Sequence, residues 1–190
     1  MMAWPPFLPC LLLWLITIAV MDLRIRKVRN WMVLLGLATG AVALFSGAQP
    51  FQVSAWGGLG GMVLAFVALL PFYALRWMGA GDVKFAAVMG LWFGLSPDLL
   101  LIWLGGSLLA GLHGLLVLGW RGLRRSAWGS WLQAWLPGPL AMAFAMPPAP
   151  LQESTTSDGK RAIQRSIPYA GYMAIVAIWV VIRTGSQWAA

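Results

Sequence analysis

Charged residues divide this chain into long apolar stretches. None occurs in the first 21 residues or between residues 30 and 75. A helix that crosses a membrane needs about 20 apolar residues, or somewhat fewer where flanking side chains reach the interface. The polar segment "SGAQP" breaks the second stretch, and "SPD" marks a turn before a new helix. The pattern predicts an all-α membrane protein with a bundle of about six transmembrane helices, near residues 4–21, 31–46, 53–75, 83–95, 99–120 and 168–183.

The segment 121–167, between the last two predicted spans, is predicted to be a cytoplasmic and interfacial loop. Its "PGP" and "PPAP" motifs interrupt any continuous crossing. Tryptophan favours the headgroup zone of a bilayer, so an interfacial helix fits this region better than a span. The segment "SAWGSWLQAWL" places four apolar side chains on one face at helical spacing: Trp128, Trp131, Leu132 and Trp135. The whole chain, residues 1–190, is expected to form a single transmembrane domain.

Composition excludes an ordinary soluble domain. Hydrophobic residues make up 61% of the chain and charged residues 9%, with a mean hydropathy of +0.79. A typical soluble domain carries about 25% charged residues. The single cysteine, Cys10, excludes an internal disulfide and a cysteine-rich zinc site. We expect neither a metal nor a cofactor.

The net charge of +8 indicates a membrane surface rather than nucleic acid as the partner. Basic residues form short clusters between apolar runs, which is typical of loops that face the cytoplasm. With six spans and an external N-terminus, 12 of the 13 basic residues fall on the cytoplasmic side, and only Arg183 falls outside. Anionic lipid headgroups are the expected partner of these clusters.

Two of the five acidic residues are candidates for chemistry. Glu153 and Asp158 fall in a polar loop, and Asp98 follows Pro97 where a helix N-cap role is sufficient. Asp22 and Asp82 remain, and the predicted topology places both at the cytoplasmic boundary of the bundle. Ionisable groups within membrane segments are costly and are functional by default.

Each aspartate also has a structural explanation. Asp22 at a helix end balances the charge of Arg24 or Arg26, and Asp82 caps the fourth helix while Gly79 ends the third. Taken together these explanations weaken, because two carboxylates that converge at one depth are what acid–base chemistry requires. Two carboxyl groups about 3 Å apart share a proton, so that one can take a proton from water while the other supports a carbonyl and then a leaving amine.

The residues around Asp82 fit that interpretation. The glycines at 79 and 81 would let a substrate backbone approach closely, because neither carries a side chain. Lys84 would tune Asp82 or hold an acidic group of a substrate, although extension to the headgroups is the simpler role. Tyr169 begins the last predicted helix on the same side and is a candidate for a substrate groove.

The motif "GAGDVKFAAVMG" at residues 79–90 resembles the GxGD signature of membrane aspartic proteases, in the form found in prepilin peptidases (type IV leader peptidases). The segment "DLRIRKVRN" resembles the first aspartate motif of that family, D-x-R-x-x-x-I-P-N, and retains Asp22, Arg24 and Asn30 in register. It departs from the motif at Val28 and Arg29, where Ile-Pro is usual. The segment "IPYAGYMAI" is similar to the last helix of the family.

The resemblance implies a peptidase domain with Asp22 and Asp82 as the catalytic pair. It implies removal of the short basic leader from a pilin or pseudopilin precursor, at the cytoplasmic face of a bacterial inner membrane. The cysteine-containing insert of longer members has no counterpart here, so we expect no methyltransferase activity, as in the short forms associated with Flp-type pili. The oligomeric state is not predicted. The alternative is a non-enzymatic transporter or assembly component that uses Asp22 and Asp82 for proton coupling or structure.

Overall fold

The computed structural model describes residues 7–25, 28–126, 131, 134–135, 137–139, 142 and 168–188. Within these residues the secondary structure is helical and no strand occurs. Six helices have defined bounds: α1 Leu8–Ile25, α2 Asn30–Phe45, α3 Ala55–Ala74, α4 Ala80–Phe93, α5 Pro97–Arg125 and α6 Tyr169–Trp188. The prediction of an all-α protein is confirmed for the described part of the chain.

Among the residues that the structure describes, three segments are long and apolar enough to cross a membrane: Leu8–Ile25, Ala55–Ala74 and Pro97–Leu123. Two shorter apolar helices accompany them, Asn30–Phe45 and Tyr169–Gly185. A chain of this kind has too little polar surface for a water-soluble fold, and its exposed leucines, valines and tryptophans suit a lipid environment. The protein is therefore a helical membrane-type protein.

The helices differ from the predicted spans mainly at ends that were placed next to charged residues. Helix α1 continues past Met21 to Ile25, so Asp22 lies within the helix rather than at its end. Helix α5 continues to Arg125, beyond the predicted end at residue 120. Long basic side chains extend from a helix to the interface without ending it, which explains both extensions.

Two predicted caps are wrong. Helix α3 ends at Ala74, and Gly79 is the N-cap residue of α4 instead of the terminator of α3. At the start of α5, the Ser96 hydroxyl accepts a hydrogen bond from the Leu99 N–H at 3.3 Å. Ser96 therefore occupies the capping position predicted for Asp98. Asp98 lies in the first turn of α5, where its negative charge interacts favourably with the helix dipole.

The chain forms two compact units, residues 1–110 with 168–190, and residues 111–167. In the second unit, α5 continues from Gly111 to Arg125, and the rings of Trp131 and Trp135 lie 5.7 Å apart. Most of the predicted interfacial helix, including Trp128 and Leu132, lies outside the described residues. The first unit contains α1 to α4, the start of α5, and α6.

Helix α4 is the central element of the first unit. Every residue from Phe85 to Phe93 is buried, because α4 is apolar on all sides and packs against α2, α3 and α6. The α3–α4 contact is backbone to backbone: a Cβ at Gly90 would collide with the carbonyl oxygen of Gly61, and the reverse is also true. Gly61 and Gly90 therefore serve close helix packing, because neither carries a side chain.

Three buried polar side chains fix the neighbours of α4. The indole N–H of Trp92 donates to the Gly36 carbonyl at 3.1 Å, and that of Trp14 donates to the Met32 carbonyl at 2.8 Å, one turn away on α2. Gln49, in the turn between α2 and α3, donates to the carbonyls of Leu91 and Trp92 at 3.3 and 2.9 Å. These carbonyls belong to the last turn of α4, where no backbone N–H of the helix is available to donate to them. The Gln49 side-chain amide supplies the missing donor.

The α3–α4 contact predicts a large effect of one methyl group. Gly90→Ala should lower the free energy of unfolding by about 1–3 kcal/mol, because two backbones must separate to admit the Cβ. Gly111→Ala is the matched control, since no heavy atom lies within 4 Å of a Cβ there. Thermal unfolding in detergent measures both. Equal transition temperatures for the two variants would contradict this packing.

Candidate active site

Asp22 is held inside the bundle by the buried stripe of α1. Leu11, Leu15 and Ile18 are fully buried and follow helical spacing, and Asp22 is the next position on the same face. Its side chain is only 3% exposed. The Oδ2 atom of Asp22 accepts a hydrogen bond from the Gly171 N–H at 2.7 Å. A buried carboxylate needs such donors to offset the loss of water.

Asp82 is positioned by the start of α4. It is the third residue after the N-cap Gly79, and its Oδ2 atom accepts from the Gly79 N–H at 3.3 Å. This is one half of a capping box, so the proposed capping role of Asp82 is correct. Its other oxygen, Oδ1, accepts from the Ala170 N–H at 3.2 Å. One carboxylate therefore links α4 to α6.

The two aspartates accept hydrogen bonds from adjacent backbone N–H groups. Ala170 and Gly171 lie in the first turn of α6, where backbone N–H groups have no acceptor within the helix and the helix dipole favours negative charge. Asp82 and Asp22 fill these two acceptor positions from 88 and 149 residues away in sequence. The structure thus brings together the two acids that the sequence selected.

The electrostatics of the pair follow from this arrangement. Asp22 is buried and close enough for its charge to act on Asp82, which is itself largely buried. Two full negative charges in such a site repel each other, and the backbone N–H donors of Gly79, Ala170 and Gly171 oppose this cost. One proton shared between the carboxyl groups would remove the repulsion. The pair would then have one proton acceptor and one proton donor, which is the requirement for acid–base catalysis.

Gly171 permits the close approach of α6 to Asp22. A Cβ at this position would lie 3.2 Å from Asp22 Oδ2 and 3.3 Å from Leu23 Cγ. Both distances are tighter than ordinary van der Waals contact. A side chain at 171 would therefore require Asp22, Leu23 or the start of α6 to shift by a few tenths of an ångström.

Tyr169 anchors the start of α6 to α5. Its hydroxyl is 2.9 Å from the Ser107 hydroxyl and donates to the Trp103 carbonyl at 3.4 Å. Because Tyr169 precedes the two donor amides, these hydrogen bonds fix the position from which the amides act. The predicted groove role of Tyr169 stays a prediction, and the structure adds this positioning role.

The other candidate residues lie at the start of α4 and at the end of α1. Gly79 is the N-cap residue of α4 with a φ of −74°, and Gly81 lies in the first turn of that helix. A Cβ at Gly81 would lie 3.4 Å from Val28 Cβ, so Gly81 packs next to Val28. Lys84 does not contact Asp82: it is exposed and donates to Asn30 Oδ1 at 3.2 Å. Arg24 is exposed in the last turn of α1, while Asp22 is buried.

Sequence reasoning missed the donors of the site. Ala170 and Gly171 act through backbone atoms, which any residue type supplies, so composition and motifs do not reveal them. Local signals mark only the start of α6: the segment "IPYAGYMAI" contains both residues, and its Pro168 is typical of a helix start. Ser107 gave no signal in the sequence.

The model of the type IV leader peptidase family matches residues 10–115, more than half of the chain. The chain belongs to the type IV leader peptidase family. Membership indicates a protease, and the family predicted from "GAGDVK" and "DLRIRKVRN" is confirmed. The matched region contains Asp22 and Asp82 but ends before α6. Searches of curated proteins and of solved structures gave no significant match.

Substitution of Gly171 tests the contact between α6 and Asp22. Gly171→Val should lower the rate of leader cleavage at least about tenfold, because it breaks a hydrogen bond to a charged group worth about 1.5–3 kcal/mol. Gly185→Val on the same helix is the control, since no heavy atom lies within 4 Å of a Cβ there. Cleavage rates of purified protein in detergent give the comparison. Similar rates for both variants would show that α6 does not support the site.

Proposed function

We propose that this protein is a membrane-embedded aspartic endopeptidase that removes the short basic leader from a type IV pilin-like precursor. The observation that supports it best is the convergence of Asp22 and Asp82 on the adjacent amides of α6. Within a family of leader peptidases, a pair of buried acids with one proton between them is the chemistry that peptide hydrolysis needs.

The hydrolysis uses a water molecule and no covalent intermediate. The ionised carboxyl group takes a proton from water as the water oxygen attacks the peptide carbonyl carbon. The protonated carboxyl group donates to the carbonyl oxygen, which carries the developing negative charge. When the carbon–nitrogen bond breaks, a proton passes to the leaving amine. The products are a carboxylic acid and a free amine, and the carboxyl pair returns to its initial state with one proton.

The proposed topology has six spans with the N-terminus outside and the whole chain, residues 1–190, acting as one peptidase domain. Asp22 near the end of α1 and Asp82 near the start of α4 then lie at the cytoplasmic face of a bacterial inner membrane. The count of basic residues supports this orientation, because loops rich in Lys and Arg stay in the cytoplasm. The segment 121–167, whose sequence is rich in tryptophan, is proposed to be a cytoplasmic and interfacial loop.

The proposed substrates are Flp-type pilins or pseudopilins. Their apolar segment would lie in the membrane while the basic leader extends to the cytoplasmic surface. The absence of any cysteine besides Cys10 supports a peptidase without the methyltransferase activity of longer relatives. Binding of the leader would use the region next to Asp82, where Gly79 and Gly81 present backbone without side chains.

The decisive test is the cleavage of a pilin-like precursor by three variants. Asp22→Asn and Asp82→Asn should each reduce the rate by about 10²–10⁴-fold or more, because the amide of asparagine can neither accept nor donate the transferred proton. Asp98→Asn is the matched control, since Asp98 lies at the start of α5 and Ser96 caps that helix.

Membrane insertion and unfolding temperature must be measured alongside the rates. All three variants should insert, and only the first two should lose activity. Full activity in Asp22→Asn or Asp82→Asn would exclude the aspartic mechanism. Absence of cleavage by the unaltered protein for all pilin-like precursors, with a proton flux that depends on Asp82, would favour the transporter alternative.

A further inference from the structure

A groove lies on the far side of α4 from the aspartates. Helices α2 and α3 both pack on α4 but make few contacts with each other, which leaves a groove of about 530 Å³ between them. Eight of its ten lining residues are apolar, and the other two are Asn30 and Lys84. The lining contains no acidic residue.

Lys84 cannot serve the aspartate pair and this groove at once. Successive residues of an α-helix are about 100° apart, so Lys84 points about 200° away from Asp82. Lys84, Ala87 and Val88 share one face of α4 and line the groove. The lysine of the "GAGDVK" motif therefore belongs to the groove.

The polar residues of the groove form a site for an anion. Lys84 Nζ donates to Asn30 Oδ1 at 3.2 Å, which uses one of the three ammonium donors. That bond also orients the Asn30 amide, whose NH₂ group is a further donor. Both side chains are exposed, so that an anion can reach them from outside the bundle. Lys84 makes this end of the groove positively charged.

From Asn30 to Leu37 the groove follows α2 for about 10 Å, given a rise of 1.5 Å per residue. One end is cationic and the remainder is apolar, in a helical membrane-type protein. The ligand that matches both ends has an anionic head and an apolar chain. A phosphate group would accept hydrogen bonds from Lys84 and the Asn30 amide, and an acyl chain would pack against the apolar side chains.

We propose that this groove binds an anionic glycerophospholipid, with its phosphate on Lys84 and Asn30 and the upper part of one acyl chain between α2 and α3. The lipid bridges α2 and α4 at the point where the two helices carry the Lys84–Asn30 hydrogen bond. This site does not depend on the proposed peptidase chemistry. A basic leader is a poor occupant because the Lys84 ammonium would repel its positive charges.

Titration of the full chain in detergent with two lipids tests the proposal. Dioleoyl-phosphatidylglycerol and dioleoyl-phosphatidylcholine have the same acyl chains and differ in headgroup charge. Native mass spectrometry measures the affinity for each. The unaltered protein should prefer phosphatidylglycerol, and Lys84→Met should reduce that preference about fivefold, as expected for one cation near a lipid phosphate. Arg121→Met, which removes the same charge outside the groove, should leave the preference unchanged.

A second pair of variants tests the apolar part. Val63 lines the groove and Val67 does not, although both valines lie on α3 and each is 56% exposed. Val63→Trp fills the groove and should weaken binding of both lipids at least about threefold, while Val67→Trp should not. Unfolding temperatures of the two variants, measured without added lipid, control for misfolding.

Four results would overturn the proposal. Equal effects of Lys84→Met and Arg121→Met would indicate a diffuse basic surface, and equal effects of the two tryptophan variants would exclude the groove. Displacement of phosphatidylglycerol by an equimolar pilin-like precursor would assign the groove to the substrate. A dimer that forms in the unaltered protein and disappears in Val63→Trp would assign it to a second copy.

Discussion

Two neighbouring peptide N–H groups, those of Ala170 and Gly171, determine the geometry of the site. The first turn of a helix has donors without acceptors, and two carboxylates buried in a membrane protein lack the water that would solvate them. The helix start supplies the donors that the carboxylates lack, and the carboxylates supply the acceptors that the helix start lacks. Helix α6 therefore fixes α1 and α4 relative to each other through two acids, and the same pairing brings together the groups of the proposed proton transfer.

Hydrophobic pattern and charge were sufficient to find the helices and the acids. Each predicted span overlaps one helix, because long apolar runs separated by polar turns leave few alternatives in a bilayer. Asp22 and Asp82 were found because a chain with five acidic residues makes each buried one conspicuous. The stripe of Leu11, Leu15 and Ile18 also explains why Asp22 faces inward. The family followed from the two short motifs that contain these acids.

Contacts between distant parts of the chain could not be predicted in this way. Helix α6 presents backbone atoms to the acids, and Gln49 reaches the last turn of α4 from a turn that appeared only as a break between spans. The partner of Lys84 is Asn30 because of the way α2 packs on α4, which no local pattern encodes. Asp98 was misassigned because the serine two residues earlier is an equally good cap and is better placed.

The order of synthesis gives the α6 contacts a consequence for the living cell. Asp82 leaves the ribosome 88 residues before Ala170, and Asp22 leaves it 149 residues before Gly171. Until the later segment enters the bilayer, the two acids lack the backbone donors of Ala170 and Gly171 that hold them together. On the proposed mechanism, a nascent or truncated polypeptide would therefore not cleave other membrane proteins while translation continues.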